Sequence, residues 1–242
     1  MFNMFYGTYG YNNGISSYSL WQIILILVPF LLCLGAQVLV KTRYRKYSAV
    51  RNMRGLTGAQ AAFEVLSANG VTGVNIQRVG GTMSDKYDPR TNTIYLSDGV
   101  YGSTSVAAVG IACHEAGHAC QYAENYFPMK IRAKVIPAAN IGSSIGLPLC
   151  LIGIIFSFSM LFYIGLILYS AVFIFQFATL PVEFNASRRA LKSIEGRGLL
   201  NPDEYSGAKS VLTAAAMTYV ASMASSLFTI IRLLLIGGRR RR

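Results

Sequence analysis

The chain has 242 residues, of which 53% are hydrophobic and only 13% are charged, and its mean hydropathy is positive. This composition is too apolar for an ordinary soluble domain and indicates a membrane protein. The net charge of +12 does not indicate nucleic acid, because the basic residues flank apolar segments, where anionic lipids account for them. We therefore expect the lipid bilayer as a partner and no nucleic acid.

The N-terminal part of the chain predicts one membrane span. Residues 1–18 are rich in Tyr, Gly and Asn, and we expect little fixed structure in them. Residues 20–40 carry no charge and are long enough to cross a bilayer, and no basic region of a cleaved signal peptide precedes them. The next segment is basic, which predicts that it is cytoplasmic and that the N-terminus is outside. Its basic residues are Lys41, Arg43, Arg45, Lys46, Arg51 and Arg54.

A small mixed domain is predicted after this basic segment. Residues 56–69 have the pattern of an amphipathic helix, with Thr57 as a cap and Gly70 as the stop signal. Residues 74–79 and 93–97 have the pattern of short strands. Because a strand edge beside a metal can bind an extended substrate, we assign residues 93–97 to such an edge.

The next helix, predicted over residues 106–120, contains the pattern H-E-x-x-H at positions 114–118. Residues 103–105 (Ser, Thr, Ser) are candidate N-caps. Residues four apart share one helix face, so His114 and His118 can bind one metal ion. Glu115 lies beside them, where a general base for metal-assisted peptide hydrolysis is needed. The pattern is strengthened because these are the only two histidines of the chain.

The four cysteines do not form a C-x-x-C pair. We interpret them as small buried apolar residues without a disulfide framework. Cys113 and Cys120 flank the histidine pattern but do not share the histidine face, so we do not expect them to bind zinc.

The C-terminal half contains three further apolar segments. Residues 136–159 and 160–180 have no charge between them, which predicts a membrane hairpin with its turn outside. Residues 211–236 are long enough to span, but Arg232 lies within them, and a span would carry the terminal arginines 239–242 outside. We leave this segment unassigned between a span, a helix packed on the domain and an interfacial helix.

Catalytic zinc usually has three protein ligands, so a third ligand is needed besides the histidines. Glu124 has the spacing of proteases that place a third ligand six residues after the second histidine. Those proteases need a helix-breaking glycine, and here Gln121 occupies that position. Glu183 lies on a predicted second helix, where the alternative to metal binding is an ion pair with Arg188 or Arg189. The pattern favours Glu183 over Glu124.

Three stretches carry a family resemblance: residues 114–118 (HEAGH), 180–190 (LPVEFNASRRA) and 216–221 (AMTYVA). They resemble the YugP-type neutral zinc metallopeptidases of bacterial membranes, and the resemblance extends over nearly the whole chain. More distantly, the layout is similar to that of HtpX-type and CaaX-prenyl proteases. Site-2 proteases are excluded, because their metal-binding aspartate follows the histidines and no suitable aspartate does so here.

The resemblance implies zinc bound by His114, His118 and Glu183. The sequence departs from the distant families at Ser187, where they have aspartate, so the partner that orients a ligand histidine has to be found in the structure. Tyr219, Arg188 and Arg189 are candidate donors to the oxyanion of the transition state. We expect Glu115 and Tyr219 as catalytic residues.

The expected fold class is mainly α: a multi-pass membrane protein with a small α+β zincin-like catalytic domain. We expect a plasma-membrane enzyme with one Zn²⁺ per chain, cleaving peptide bonds of membrane or membrane-proximal proteins at the cytoplasmic face. The alternative is a non-catalytic zinc-binding scaffold or adaptor. Structural zinc sites usually have four protein ligands and rarely need a carboxylate such as Glu115, which favours the enzyme.

The predicted organisation has five parts. They are the N-terminal tail and first span (1–40), the cytoplasmic domain with the zinc helix (41–135), the membrane hairpin (136–180), a cytoplasmic helix with the third ligand (181–210) and the C-terminal apolar helix with its basic tail (211–242).

Overall fold

The computed structural model describes residues 17–239, and residues 1–16 and 240–242 lie outside the described part. The expectation for residues 1–18 therefore falls almost entirely outside it. The described chain is mainly helical, as predicted. Its elements, in chain order, are α1 (Ser17–Ser48), α2 (Gly58–Ala68), β1 (Asn75–Val79), β2 (Lys86–Asp88), β3 (Thr93–Ser97), α3 (Asp98–Tyr101), α4 (Val106–Ala123), α5 (Phe127–Ile141), a π-helical segment (Gly142–Gly146), α6 (Leu147–Ile155), α7 (Ser159–Gly196) and α8 (Pro202–Arg239).

Within residues 17–239, four helical segments are long and apolar enough to cross a bilayer: Leu20–Ser48, Phe127–Ile155, Ser159–Gly196 and Pro202–Gly237. Many of their large apolar side chains are exposed on the protein surface, as lipid-facing residues are. The second and third of these segments form the predicted hairpin, whose turn is the short connection between Ile155 and Ser159.

The two arms of this hairpin approach each other closely. A Cβ atom on Gly165 of α7 would lie 2.6 Å from the backbone nitrogen of Cys150 in α6, so only glycine permits this contact. Small residues at such contacts are typical of helix packing in membranes, where close backbone approach supplies the packing energy.

Helix α8 contains the segment that the sequence left unassigned, and it packs antiparallel to α1. Cys33 of α1 lies next to Ala221, with 3.7 Å between the thiol sulfur and the carbonyl oxygen. Nearer the start of α1, Arg232 Nε donates a hydrogen bond of 3.3 Å to Gln22 Oε1. The end of α8 therefore lies beside the beginning of α1, and the two helices pack along each other through the apolar part of the molecule.

The small domain begins with α2, whose start and end agree with the prediction. The Thr57 hydroxyl accepts from the backbone N–H of Gln60, and the Gln60 side chain accepts from the backbone N–H of Thr57, which forms a capping box. Gly70 follows the helix with φ +66°, a left-handed conformation that glycine adopts without strain.

The sheet has the order β1-β3-β2, with β1 parallel and β2 antiparallel to β3. The assignment of residues 93–97 to a free edge was wrong, because β3 is the central strand and is paired on both sides. Burial gives the physical reason: Ile94 and Leu96 have no exposed surface and belong to the domain core. The edge near the zinc helix is formed by β2, which the sequence analysis missed because it is only three residues long.

Helix α4 forms the centre of the domain and packs against α2, α7 and α8. Ser105 is its N-cap, and its hydroxyl accepts from the backbone N–H of Ala108. Small residues dominate the buried faces of α4. A Cβ atom on Gly117, inside the H-E-x-x-H pattern, would lie 2.8 Å from the carbonyl oxygen of Ala186. This contact brings the backbones of α4 and α7 together where the ligand residues lie.

Helix α7 continues through Pro181 without interruption. The predicted boundary at residue 180 therefore does not coincide with a break in the chain. Proline removes one helical hydrogen bond and crowds the preceding turn, but membrane helices tolerate it because neighbouring groups satisfy the freed backbone. As a result, the apolar part of α7 and the part that carries Glu183 form one helix.

Candidate metal centre

The histidine pair lies on one face of α4, as the spacing predicts. The ring centroids of His114 and His118 are 4.7 Å apart, and the rings are nearly perpendicular. Both side chains are largely buried, with 15% and 10% of their surface exposed. Their Nε2 atoms face the same point, which lies between α4 and α7.

Glu183 of α7 approaches this point from the opposite side. Its Oε2 atom lies 3.4 Å from His114 Nε2 and 3.6 Å from His118 Nε2. The carboxylate is only 3% exposed, and the ligand atoms of the three residues lie within 4.8 Å of one another. The structure therefore brings together the three residues expected to bind the metal, although Glu183 is 65 positions after His118 in the sequence.

Glu124, the competing third ligand, lies elsewhere. It is the C-cap of α4, and both of its carboxylate oxygens accept hydrogen bonds from Arg189, at 2.6 and 2.7 Å. Arg189 lowers the pKa of the Glu124 carboxyl by hydrogen bonding. Because α4 continues past Gln121 without a turn, Glu124 points away from the histidines, as we expected.

The cysteines are not part of this cluster. All four are free thiols, as predicted. The Cys113 sulfur lies 3.9 Å from the backbone oxygen of Ala61, on the opposite side of α4 from the metal site. Burial raises the pKa of Cys120 to about 11, which makes a thiolate ligand there unfavourable.

Each histidine has a hydrogen-bond partner at its other ring nitrogen. His114 Nδ1 lies 3.1 Å from the hydroxyl of Ser187. His118 Nδ1 lies 3.0 Å from Oε1 of Gln121, a residue with no exposed surface. Partners of this kind orient metal-binding histidines and set their tautomers. Ser187 thus occupies the position where the distant families have aspartate, and its hydroxyl contacts His114.

Arg132 of α5 is a further neighbour that the sequence analysis did not connect with the site. Its NH1 atom donates a hydrogen bond of 3.1 Å to Glu183 Oε1, the carboxylate oxygen that does not face the histidines. In the sequence, Arg132 stands between Lys130 and Lys134 ahead of an apolar segment, which gives no sign of this contact. Glu183 does not form the ion pair with Arg188 or Arg189 that was the alternative to metal binding. Arg188 is exposed, and Arg189 binds Glu124 instead.

A cavity of about 280 Å³ opens beside the cluster. His114, Glu115, Glu183 and Tyr219 of α8 are among the residues that line it. Glu115 is 8% exposed, and burial raises the pKa of its carboxyl above the ordinary value. Of the three candidate oxyanion donors, only Tyr219 lines this cavity.

The donor set fits zinc. Ligand atoms lie about 2.0–2.2 Å from a zinc ion, so tetrahedral ligands of one ion are separated by about 3.4 Å, close to the observed spacing. Two imidazoles and one carboxylate leave a fourth position open toward the cavity, as catalytic zinc sites require. This site, carried by a chain with four membrane-length helices, defines a membrane zinc metallopeptidase.

Comparison with known proteins gives the family. Residues 22–238 match the family described as "Putative neutral zinc metallopeptidase", and the chain belongs to this family. The chain is also similar to "Putative membrane protease YugP" of Bacillus subtilis (strain 168), with 41% identity over 214 residues, which cover 88% of this chain and 95% of that protein. No solved structure matches the chain significantly.

Proposed function

We propose that this protein is an endopeptidase that binds one zinc ion per chain and cleaves membrane or membrane-proximal proteins at the cytoplasmic face. The observation that carries the proposal is the convergence of His114, His118 and Glu183 beside the buried carboxylate of Glu115. Within residues 17–239, no fourth His, Cys, Asp or Glu joins this cluster, and the cluster borders a cavity that would admit a substrate.

In this proposal, His114, His118 and Glu183 hold the metal, and Ser187 and Gln121 orient the two imidazoles. A bound zinc ion supplies a Lewis acid that polarises the scissile carbonyl and makes water more acidic. Glu115 accepts the proton of the attacking water at its carboxylate and passes it to the leaving nitrogen. The raised pKa of Glu115 suits this shuttle, because a carboxyl nearer neutrality both accepts and returns a proton readily.

Tyr219 is the proposed donor to the oxyanion. It lies on α8 and lines the same cavity as His114, Glu115 and Glu183. A preorganised phenolic O–H donor stabilises developing negative charge more strongly than freely reorienting water does. Arg188 and Arg189 are not assigned this role.

The substrate backbone is proposed to bind along the outer edge of β2. This strand pairs with β3 on one side only. Met83 and Asp85, which immediately precede β2, line the catalytic cavity. A peptide added to this edge in extended form would therefore run past the metal centre, with main-chain hydrogen bonds holding it in register.

The level of the cavity along the membrane-length helix α1 supports membrane-proximal substrates. Gln37, Val40 and Tyr44 of α1 line it, and these positions bracket Lys41, where α1 changes from apolar to basic. The reaction site therefore lies at the level expected for the membrane surface. Peptide bonds just outside a span, or in the tail of a membrane protein, can reach it.

The cytoplasmic orientation is proposed from the charges. The end of the bundle that carries the domain contains the basic segments after residues 40, 129 and 187, whereas among the described residues the opposite end carries Arg232 and Arg239. The domain end is the more basic of the two, which favours the cytoplasmic side.

Cysteine labelling tests this orientation. In a variant without the four native cysteines, we expect Phe63→Cys, at an exposed position of α2, to be shielded from an impermeant maleimide in intact cells. Phe156→Cys, exposed in the hairpin turn at the opposite end, serves as the matched control and is expected to react. Labelling of Phe63→Cys together with protection of Phe156→Cys would place the active site outside.

The scaffold alternative predicts no dependence on Glu115. The cellular test is a quantitative proteomic comparison of cells that carry the wild type and the Glu115→Gln variant at equal abundance. We expect membrane proteins to accumulate uncleaved in the variant. Identical proteomes would favour the scaffold.

A further inference from the structure

Gln121 is a buried amide whose polar atoms all have partners. Its Oε1 lies 3.0 Å from His118 Nδ1. Its Nε2 lies 2.9 Å from the backbone oxygen of Val182 and 2.9 Å from Oδ1 of Asn185, both on α7. The side chain therefore connects a proposed zinc ligand on α4 to the helix that carries Glu183.

The connection continues to the surface through two charged residues. Arg189 Nε donates a hydrogen bond of 2.8 Å to Asn185 Oδ1, one helical turn earlier on α7. The other guanidinium nitrogens of Arg189 bind Glu124, which is half exposed. A single hydrogen-bonded chain thus runs from the surface ion pair to the metal centre.

Arg189 and the backbone carbonyl of Val182 together determine the direction of the bonds in this chain. A guanidinium has only donors, so Asn185 must turn its carbonyl oxygen toward Arg189. The same oxygen then requires a donor from Gln121, and the carbonyl oxygen of Val182 requires one as well. The amide nitrogen of Gln121 must therefore face α7, and its amide oxygen must face His118.

Because the amide oxygen of Gln121 can only accept a hydrogen bond, His118 Nδ1 must carry the hydrogen that is shared between them. A neutral imidazole carries one N–H, so Nε2 keeps its lone pair. Nε2 is the atom that faces Glu183 Oε2 at 3.6 Å. The hydrogen bonds therefore leave His118 Nε2, which faces the proposed metal site, unprotonated and able to bind the metal.

We propose that Gln121 is a positioning residue for His118, and that Arg189, acting through Asn185 and together with the Val182 carbonyl, fixes the orientation of the Gln121 amide and hence the tautomer of His118. This inference rests on the proposed role of His118 as a zinc ligand. It also gives a role to Gln121, which stands where a helix-breaking glycine would be needed, and to Glu124, the third-ligand candidate that the sequence disfavours.

The test measures zinc binding by the full-length, detergent-solubilised protein in competition with a chromophoric chelator. Gln121→Met keeps the length of the side chain but removes both hydrogen-bonding ends, and we expect zinc binding to weaken roughly 10- to 100-fold. Arg189→Met should weaken it several-fold, because Asn185 can then turn its amide nitrogen toward Gln121 and only the Val182 carbonyl still holds the Gln121 amide in place. Arg189→Lys, which retains a group with donors only, should restore most of this loss.

Arg197→Met is the matched control. Arg197 also joins two helices through an ion pair, with Glu64 at 2.7 Å, and none of its recorded contacts reaches the metal centre. Its loss should reduce the stability of the domain about as much as loss of Arg189 but leave zinc affinity unchanged. Equal zinc affinities of the Arg189→Met and Arg197→Met variants would overturn the role of Arg189.

A nitrogen NMR measurement separates positioning from general stability. With only two histidines in the chain, selective ¹⁵N-histidine labelling gives two sets of ring signals. In the zinc-free wild type at mildly alkaline pH we expect His118 as the Nδ1–H tautomer, and in Gln121→Met a mixture of tautomers. Unchanged nitrogen shifts and unchanged zinc affinity in Gln121→Met would overturn the inference.

The outcomes also separate this inference from the proposed function. If the wild type bound no zinc, the proposed function would fail, whereas the nitrogen signals would still report whether Gln121 sets the tautomer. If Gln121→Met did not fold, the more exposed substitutions Arg189→Met and Arg189→Lys would decide the question by the same two measurements.

Discussion

The Glu115→Gln variant is expected to retain zinc and its fold but to lose nearly all peptide cleavage. Glutamine has the size of glutamate and can form hydrogen bonds, but it cannot accept the proton of the attacking water. Positioned acid–base groups contribute roughly 10² to 10⁴ in rate, and we expect the upper end because one carboxylate serves both proton transfers. The measurement is the cleavage rate of a peptide substrate by purified protein, together with its metal content.

Glu64→Gln provides the control for this variant. Glu64 is a carboxylate of the same domain that pairs with Arg197 and lies outside the cavity. Its substitution should leave the cleavage rate within about twofold of the wild type, as for an ordinary surface change. A Glu115→Gln variant that keeps both zinc and the wild-type rate would show that Glu115 is not the base.

The second large effect is expected at the third ligand. Glu183→Ala should weaken zinc binding by more than roughly 100-fold, since even the loss of a partner that only orients a ligand costs 10- to 100-fold. The substitution also leaves Arg132 without its carboxylate partner, 3.1 Å away in the wild type. The measurement is the zinc dissociation constant by chelator competition.

Glu124→Ala is the matched control, because Glu124, like Glu183, is a carboxylate that pairs with an arginine. Its partner is Arg189 of α7. Its zinc affinity should remain within a few-fold of the wild type, as Arg189 can still donate to Asn185. Loss of zinc in Glu124→Ala and retention in Glu183→Ala would transfer the ligand role to Glu124.

The parts of the site that could be predicted from the sequence are those fixed by local spacing. The helical repeat places His114 and His118 on one face, and Gln121 in place of glycine predicts that α4 carries Glu124 away. The limits of α2 were also predictable, because the capping residue Thr57 and the stop signal Gly70 act within one helical turn.

The remaining features depend on contacts between residues far apart in the chain. The order of the three strands follows from burial of β3 on both faces of the sheet, which a pattern of five residues does not determine. Gln121 and Arg132 contact α7 across 51 or more positions. Pro181 has the pattern of a boundary, yet α7 continues through it, as membrane helices can.

The most direct test of the central claim is the zinc content of the wild-type protein, purified from cells without exposure to a chelator. A site formed by His114, His118 and Glu183 predicts about one zinc ion per chain, and none in a protein where either histidine is alanine. Wild-type protein that is folded but contains no zinc would contradict the account.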